Sequence, residues 1–103
     1  MSGFSVACGD FFHDMDPEEE WTVAGFATAE AADEYARRFI RASVEACRQP
    51  EHDAAATCEA WFRFGEYAFG PTVRSDHGRW CAANPATRPE ETDYRALDPR
   101  RRP

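Results

Sequence analysis

The sequence predicts an α+β fold: an N-terminal antiparallel β-hairpin packed on an antiparallel helix pair, with an irregular C-terminal tail. Three patterns in its 103 residues predict it. Residues 4–9 and 21–26 alternate large apolar with small or polar side chains, the period of a strand. Residues 29–48 carry one apolar stripe at helical spacing, and residues 53–69 carry another. After Pro71 neither period persists.

In the first strand Phe4, Val6 and Cys8 share one face, because successive side chains alternate across a strand. His13 to Glu20 is highly charged and contains Pro17, so it reads as a loop. Trp21 to Phe26 alternates again, which predicts a hairpin with a long acidic connection. Thr28 suits a helix N-cap, and Glu30 in the first turn complements the helix dipole. Along this first helix Ala32, Tyr35, Ala36, Phe39, Ile40, Ser43 and Cys47 form the buried stripe. Asp33, Glu34, Arg37, Arg38, Arg41 and Glu45 fall on the opposite, exposed face. There Asp33–Arg37 and Glu34–Arg38 read as ion pairs, worth ~0.2–0.5 kcal/mol each, rather than as acid–base catalysts.

Gln49 to Asp53 breaks the helix, and a second begins near Pro50 or Asp53. Its stripe is Ala54, Cys58, Trp61, Phe62, Gly65 and Phe69, stopped by Gly70-Pro71. Gly65 inside a helix costs ~1 kcal/mol against alanine. The alternative is a helix ending at Gly65, with Tyr67-Ala68-Phe69 as a short strand; the longer helix is the expectation. Arg79 to Ala82 reads as a docked segment or short strand anchored by Trp80. Residues 1–82 thus form one small domain. Residues 83–103 hold four of the seven prolines and read as an extended or disordered tail. The expected core is Val6, Val23, Phe26, Tyr35, Phe39, Ile40, Trp61, Phe62 and Phe69.

Composition closes off several kinds of chemistry. The chain has no lysine, one leucine and fourteen aromatic residues. Without lysine there is neither a phosphate-loop lysine nor Schiff-base chemistry. The core must come from aromatic residues, valine and alanine. The net charge of −7 disfavours nucleic acid and anionic membrane as partners. High arginine, alanine and proline fit a GC-rich coding sequence of bacterial type, and the acid excess fits a salt-rich cytoplasm. No apolar run approaches the ~18 residues that cross a bilayer. Met1 to Asp10 lacks the basic flank and apolar stretch of a secretory leader. The expectation is therefore a cytoplasmic protein with four reduced cysteines.

Cys8, His13, Cys47, His52, His77 and Cys81 are the weak metal-ligand candidates, since thiolate and imidazole suit zinc. No Cys-x-x-Cys pair occurs, and Cys8 and Cys47 fall on core faces, so buried thiols are the expected state. Cys47 and Cys58 flank one turn on inward faces, where reduced thiols are again expected. The acidic run from Asp14 to Glu20 lacks the pattern of a calcium loop and reads as solvated. Arg100-Arg101-Arg102 reads as a solvated basic end. No dinucleotide, nucleophile-elbow, zinc-protease or phosphate-loop motif is present, so no catalytic residue and no cofactor is assigned.

A lone hairpin is marginal in water and leaves both sheet edges open. Either the tail adds a strand or two copies join in a two-fold dimer. The leading expectation is a non-catalytic homodimer that binds another protein or assists a complex. Phe11, Phe12 and Trp21 beside the hairpin loop are its interface candidates. The alternative is a small enzyme or ligand-binding protein with an aromatic pocket lined by Tyr35, His52, Trp61 and Tyr67. The second alternative is a domain stabilised by a Cys/His-bound metal.

Overall fold

A computed structural model describes residues 3–11 and 20–101. Strands β1 (Phe4–Asp10) and β2 (Trp21–Phe26) precede helices α1 (Ala29–Cys47) and α2 (Ala54–Phe64). Strand β3 (Glu66–Phe69) and helix α3 (Asp76–Ala83) follow. Three short 3-10 turns, Pro89–Thr92, Arg95–Leu97 and Pro99–Arg101, complete the described chain. The fold is α+β, with a three-stranded sheet in the order β2-β1-β3 and both pairings antiparallel.

The hairpin pairs Val6 with Val23 and Cys8 with Trp21. A bulge between Phe4 and Ser5 shifts the register. Gly25 sits there at φ +100°, a backbone conformation that disfavours any side chain. Thr28 caps α1 by accepting from the Ala31 N–H at 3.0 Å. Asp53 does the same for α2 with Ala56 at 2.9 Å. The α1 stripe lies on the inner face of the sheet, where Phe26 packs on Tyr35 and Trp21 on Phe39.

The expected continuation of the second helix to Phe69 is corrected. The helix stops at Phe64, with Gly65 as its C-cap, and the chain turns into β3. Two bonds pin this turn. Glu66 N–H donates to Ser43 Oγ at 2.7 Å, and Trp61 Nε1–H donates to the Glu66 carbonyl at 2.9 Å. β3 then fills the second edge of β1, pairing Ala7 with Phe69 and Asp10 with Glu66. The strand missing from the hairpin therefore comes from the middle of the chain. Phe69, expected in the core, is 38% exposed, because strand alternation turns it away from the helices. Val6, Val23, Phe26, Tyr35, Phe39, Ile40 and Trp61 are buried, and Phe62 is half-buried against them.

Arg79 to Ala82 is helical rather than extended. Its anchors are the buried Cys81 and Ala82, while Trp80 is 52% exposed. Two α1 residues assigned to the exposed face, Asp33 and Arg41, are buried. Asp33 accepts hydrogen bonds from the turn after β3, and Arg41 pairs with Glu91 at 2.9 Å. Only Glu34 behaves as the ion-pair reading requires, binding both Arg37 and Arg38. Residues 84–101 run irregularly along α1 and β2. Tyr94 packs edge-on against Tyr35 and Phe39, and Arg48 donates to the carbonyls of Cys81 and Ala82.

Candidate functional site

The four ligand-pocket candidates do not converge on one cavity. Tyr35 lies among Phe26, Phe39 and Tyr94. Trp61 and Tyr67 belong to a different cluster, joined through Phe11. Both tyrosines and Trp61 are buried packing residues. Tyr67 lies across Gly9, and its hydroxyl donates to Glu20 at 2.7 Å. His52 stands apart in the α1–α2 turn, its Nδ1 buried without a hydrogen bond among the described residues.

The metal candidates are scattered as well. Cys8 lies beneath the sheet, Cys47 at the end of α1, and His77 and Cys81 on α3. His13 and Phe12 lie outside the described residues. Among the described residues no three of His, Cys, Asp and Glu come together as a metal would need. Burial pushes the Cys8 thiol up to about 12, helped by the Glu66 carboxylate, and Cys81 up to about 11 against the pull of Arg41. Burial raises Cys47 too. These three thiols are protonated at neutral pH and poorly suited to nucleophilic or metal-ligating roles. No disulfide joins any of the four cysteines. His77 stacks on Trp80 at 5.5 Å in a small cleft with Arg37, Arg38 and Arg41. Burial, then Arg37 and Arg41, lower its pKa and keep it neutral. Glu34 and Glu91 already answer that cleft's arginines.

Two surfaces remain open. The first belongs to the sheet. β2 has β1 on one side and, among the described residues, no strand on the other. The strand Trp-Thr-Val-Ala-Gly-Phe contains no charge and no proline, which are the usual protections of an edge. The final turn, Pro99–Arg101, packs on β2 at Gly25, and Ala24 shares a cleft with residues 96–100, while Trp21, Thr22 and Ala24 keep exposed side chains. Ser5, Ala7, Thr22 and Ala24 continue this uncharged surface across the outer face. Trp21, an interface candidate from the sequence, lies at the edge 38% exposed. Phe11, the other described candidate, turns inward onto Trp61 and Phe62.

The second surface is an open groove of about 950 Å³ between α1, the end of α2, the start of β3 and the C-terminal turns. Ala42, Ala46, Ala60 and Phe64 supply its apolar floor, and Asp10 and Glu66 its carboxylates. Partial burial, then the Asp10 charge, raise the pKa of Glu66, with Arg95 opposing. A carboxyl whose pKa is raised by folding binds its proton more tightly in the folded state. It therefore lowers stability as pH rises through that pKa. Glu66→Gln is expected to raise the midpoint of thermal unfolding at neutral pH. The difference should vanish below the ordinary glutamate range, as paired melts at the two pH values will show. The sequence reading missed this groove because Asp10, Ser43, Glu66 and Thr92 come from four separate segments. The only local hint is Glu66 directly after Gly65, a charged start to an otherwise apolar run.

Among the described residues no helix is long and apolar enough to cross a membrane. No protein-family model matches the chain, and comparison with curated proteins and with solved structures finds no match.

Proposed function

We propose that this chain is a non-catalytic protein-interaction module that works as a two-fold homodimer joined along β2. The observation that carries the reading is the unprotected edge from Trp21 to Ala24. Two copies that each carry a charge of −7 repel over most of their surfaces, and this uncharged strand is where they can approach. A two-fold axis near Val23 sets Thr22 of one copy opposite Ala24 of the other. The backbone donors and acceptors of both edges then pair, and the two sheets become one of six strands. The helices stay on one side of that sheet, leaving its uncharged outer face for a further protein. The high thiol pKa values favour this over a catalytic cysteine. Cytoplasmic residence, where thiols stay reduced, belongs to the same reading.

The test replaces Thr22 and Ala24 together with lysine. Both side chains are exposed, so the fold should survive. In the dimer four like charges would meet across the axis. Light scattering after size exclusion should give a dimer for the natural chain and a monomer for the double variant. Circular dichroism should match between the two. A natural chain that stays monomeric at high micromolar concentration overturns the reading.

A further inference from the structure

We propose that the cleft between the end of β2 and the C-terminal turns binds Trp21 of a second copy. This contact rests on the dimer along β2 and closes it at both ends. Trp21 lies at one end of the open edge, 38% exposed although its ring packs on Phe39. At the other end lies an open cleft of about 880 Å³. Gly25, Phe26, Ala31, Ala96, Leu97 and Pro99 line it, so its surface is largely apolar. The charged residues on it, Asp98 and Arg100, are joined to each other at 2.6 Å. Gly25 keeps the strand side of the cleft open, because a Cβ there would touch Pro99 at 3.5 Å.

Strand register brings the ring and the cleft together. The axis at Val23 that sets Thr22 opposite Ala24 also sets Trp21 opposite Gly25 of the other copy. Opposed Cα atoms in an antiparallel pair stand about 4.5–5.5 Å apart, within reach of an aromatic side chain. The sides of the sheet match as well. Trp21 packs on α1, so its ring lies on the helix side. The cleft includes Ala31 of α1 and Leu97, which packs against the core, so it lies on the helix side too. A two-fold axis perpendicular to the sheet keeps the helix sides of both copies together. Each Trp21 therefore faces the cleft of the other copy.

The contact supplies what strand pairing alone lacks. A few paired residues per copy make a small interface against the ~1,200–2,000 Å² of stable complexes. A buried aromatic side chain adds ~150–250 Å², and the symmetry places two of them. Tryptophan in a desolvated apolar pocket is also enriched among the residues that dominate binding. The register gains a lock as well, since sliding the strands by two residues would withdraw both rings from their clefts.

The experiment pairs two variants of the full chain. Trp21→Ala removes the inserted ring. Ala96→Trp, at an exposed position on the cleft, fills the cleft from within its own copy. In analytical ultracentrifugation each variant alone should dimerise at least about tenfold more weakly than the natural chain, with an unchanged circular dichroism spectrum. Mixed, the two should associate more tightly than either alone, because only the mixed pair sets a Trp21 ring opposite an open cleft. A role confined to the fold of one copy would not produce that rescue. In the natural chain labelled with fluorotryptophan, the Trp21 fluorine resonance should shift as concentration rises, while those of Trp61 and Trp80 stay fixed. A mixture that associates no better than its parts overturns the proposal. Unchanged affinity in Trp21→Ala also overturns it, and leaves the strand pairing standing. A natural chain that stays monomeric at high micromolar concentration overturns the contact and the dimer together. Should Ala96→Trp fail to fold, the fluorine spectrum decides, and a Trp21 resonance that stays fixed while the chain dimerises overturns the proposal.

Discussion

Replacing Asp33 with alanine is expected to cost the fold about 3 kcal/mol, because it strips the turn after β3 of a buried charged acceptor. Asp33 is 7% exposed. Its Oδ1 accepts from the Thr72 N–H at 2.9 Å and the Val73 N–H at 3.1 Å, and its Oδ2 from the Thr72 hydroxyl at 2.7 Å. These three bonds tie the turn between β3 and α3 to the first third of α1. Gly70 completes the fit, since a Cβ there would press on Asp33 and Ala36. Alanine leaves three donors unpaired, two of them backbone amides. Burial pushes the Asp33 carboxyl up, but the bonds from Thr72 and Val73, with the charge of Arg37, hold it below its ordinary value. A depressed carboxyl stabilises the fold above its unfolded pKa, and that contribution is lost as pH falls through its folded pKa. The natural chain should therefore lose part of its urea resistance on acidification below about pH 4. Asp33→Asn, which keeps an acceptor oxygen but no charge, should start less stable and lose less over the same range. Equal pH dependence in the two proteins would show that Asp33 is not the group responsible.

A second large effect is expected at Gly78, where alanine should destabilise the fold by about 2–3 kcal/mol through overpacking. Trp61 is fully buried. Phe11 stands edge-on to its ring at 4.8 Å, and Phe62 lies tilted at 4.8 Å. A Cβ on Gly78 would overlap the six-membered part of that ring. The indole cannot swing away, because its Nε1–H is committed to the Glu66 carbonyl. α3 would have to lift instead, uncovering the buried Cys81 and Ala82. Trp61→Phe alone should also be costly, through the cavity and the lost hydrogen bond. Combined with Gly78→Ala it should cost clearly less than the sum of the two, since the smaller ring makes room for the methyl. Denaturant melts of the four proteins in this cycle give the coupling directly. Strict additivity would show that the two residues do not press on each other.

How far the sequence reveals this protein depends on where each residue's partners lie along the chain. α1 was legible because its signals are local: Thr28 caps it, and its stripe repeats over nineteen residues. Asp33 and Arg41 were misplaced on its exposed face for the converse reason. What buries them is the turn at residues 70–75 and the strap carrying Glu91, which helical periodicity cannot foresee. The end of α2 was ambiguous because Phe62, Gly65 and Phe69 fit a helical stripe, while Glu66 to Phe69 also fits a short strand. The open edge of β1 decides between them, a non-local pairing that outweighs weak local preference. α3 is eight residues long and contains Gly78, too short for periodicity to register. Of the surfaces, the exposed Trp21 was legible from its place beside the hairpin loop. The groove was not, because α1 is the scaffold that gathers its walls from both ends of the chain.

The measurement that tests the central claim most directly is amide hydrogen exchange of the natural chain at low micromolar and at near-millimolar concentration. Pairing along β2 predicts that the amides between Trp21 and Ala24 that point away from β1 gain protection as concentration rises, while those of α1 stay constant. Protection at Trp21 to Ala24 that does not change with concentration, in a sample that remains monomeric throughout, would contradict the proposed dimer.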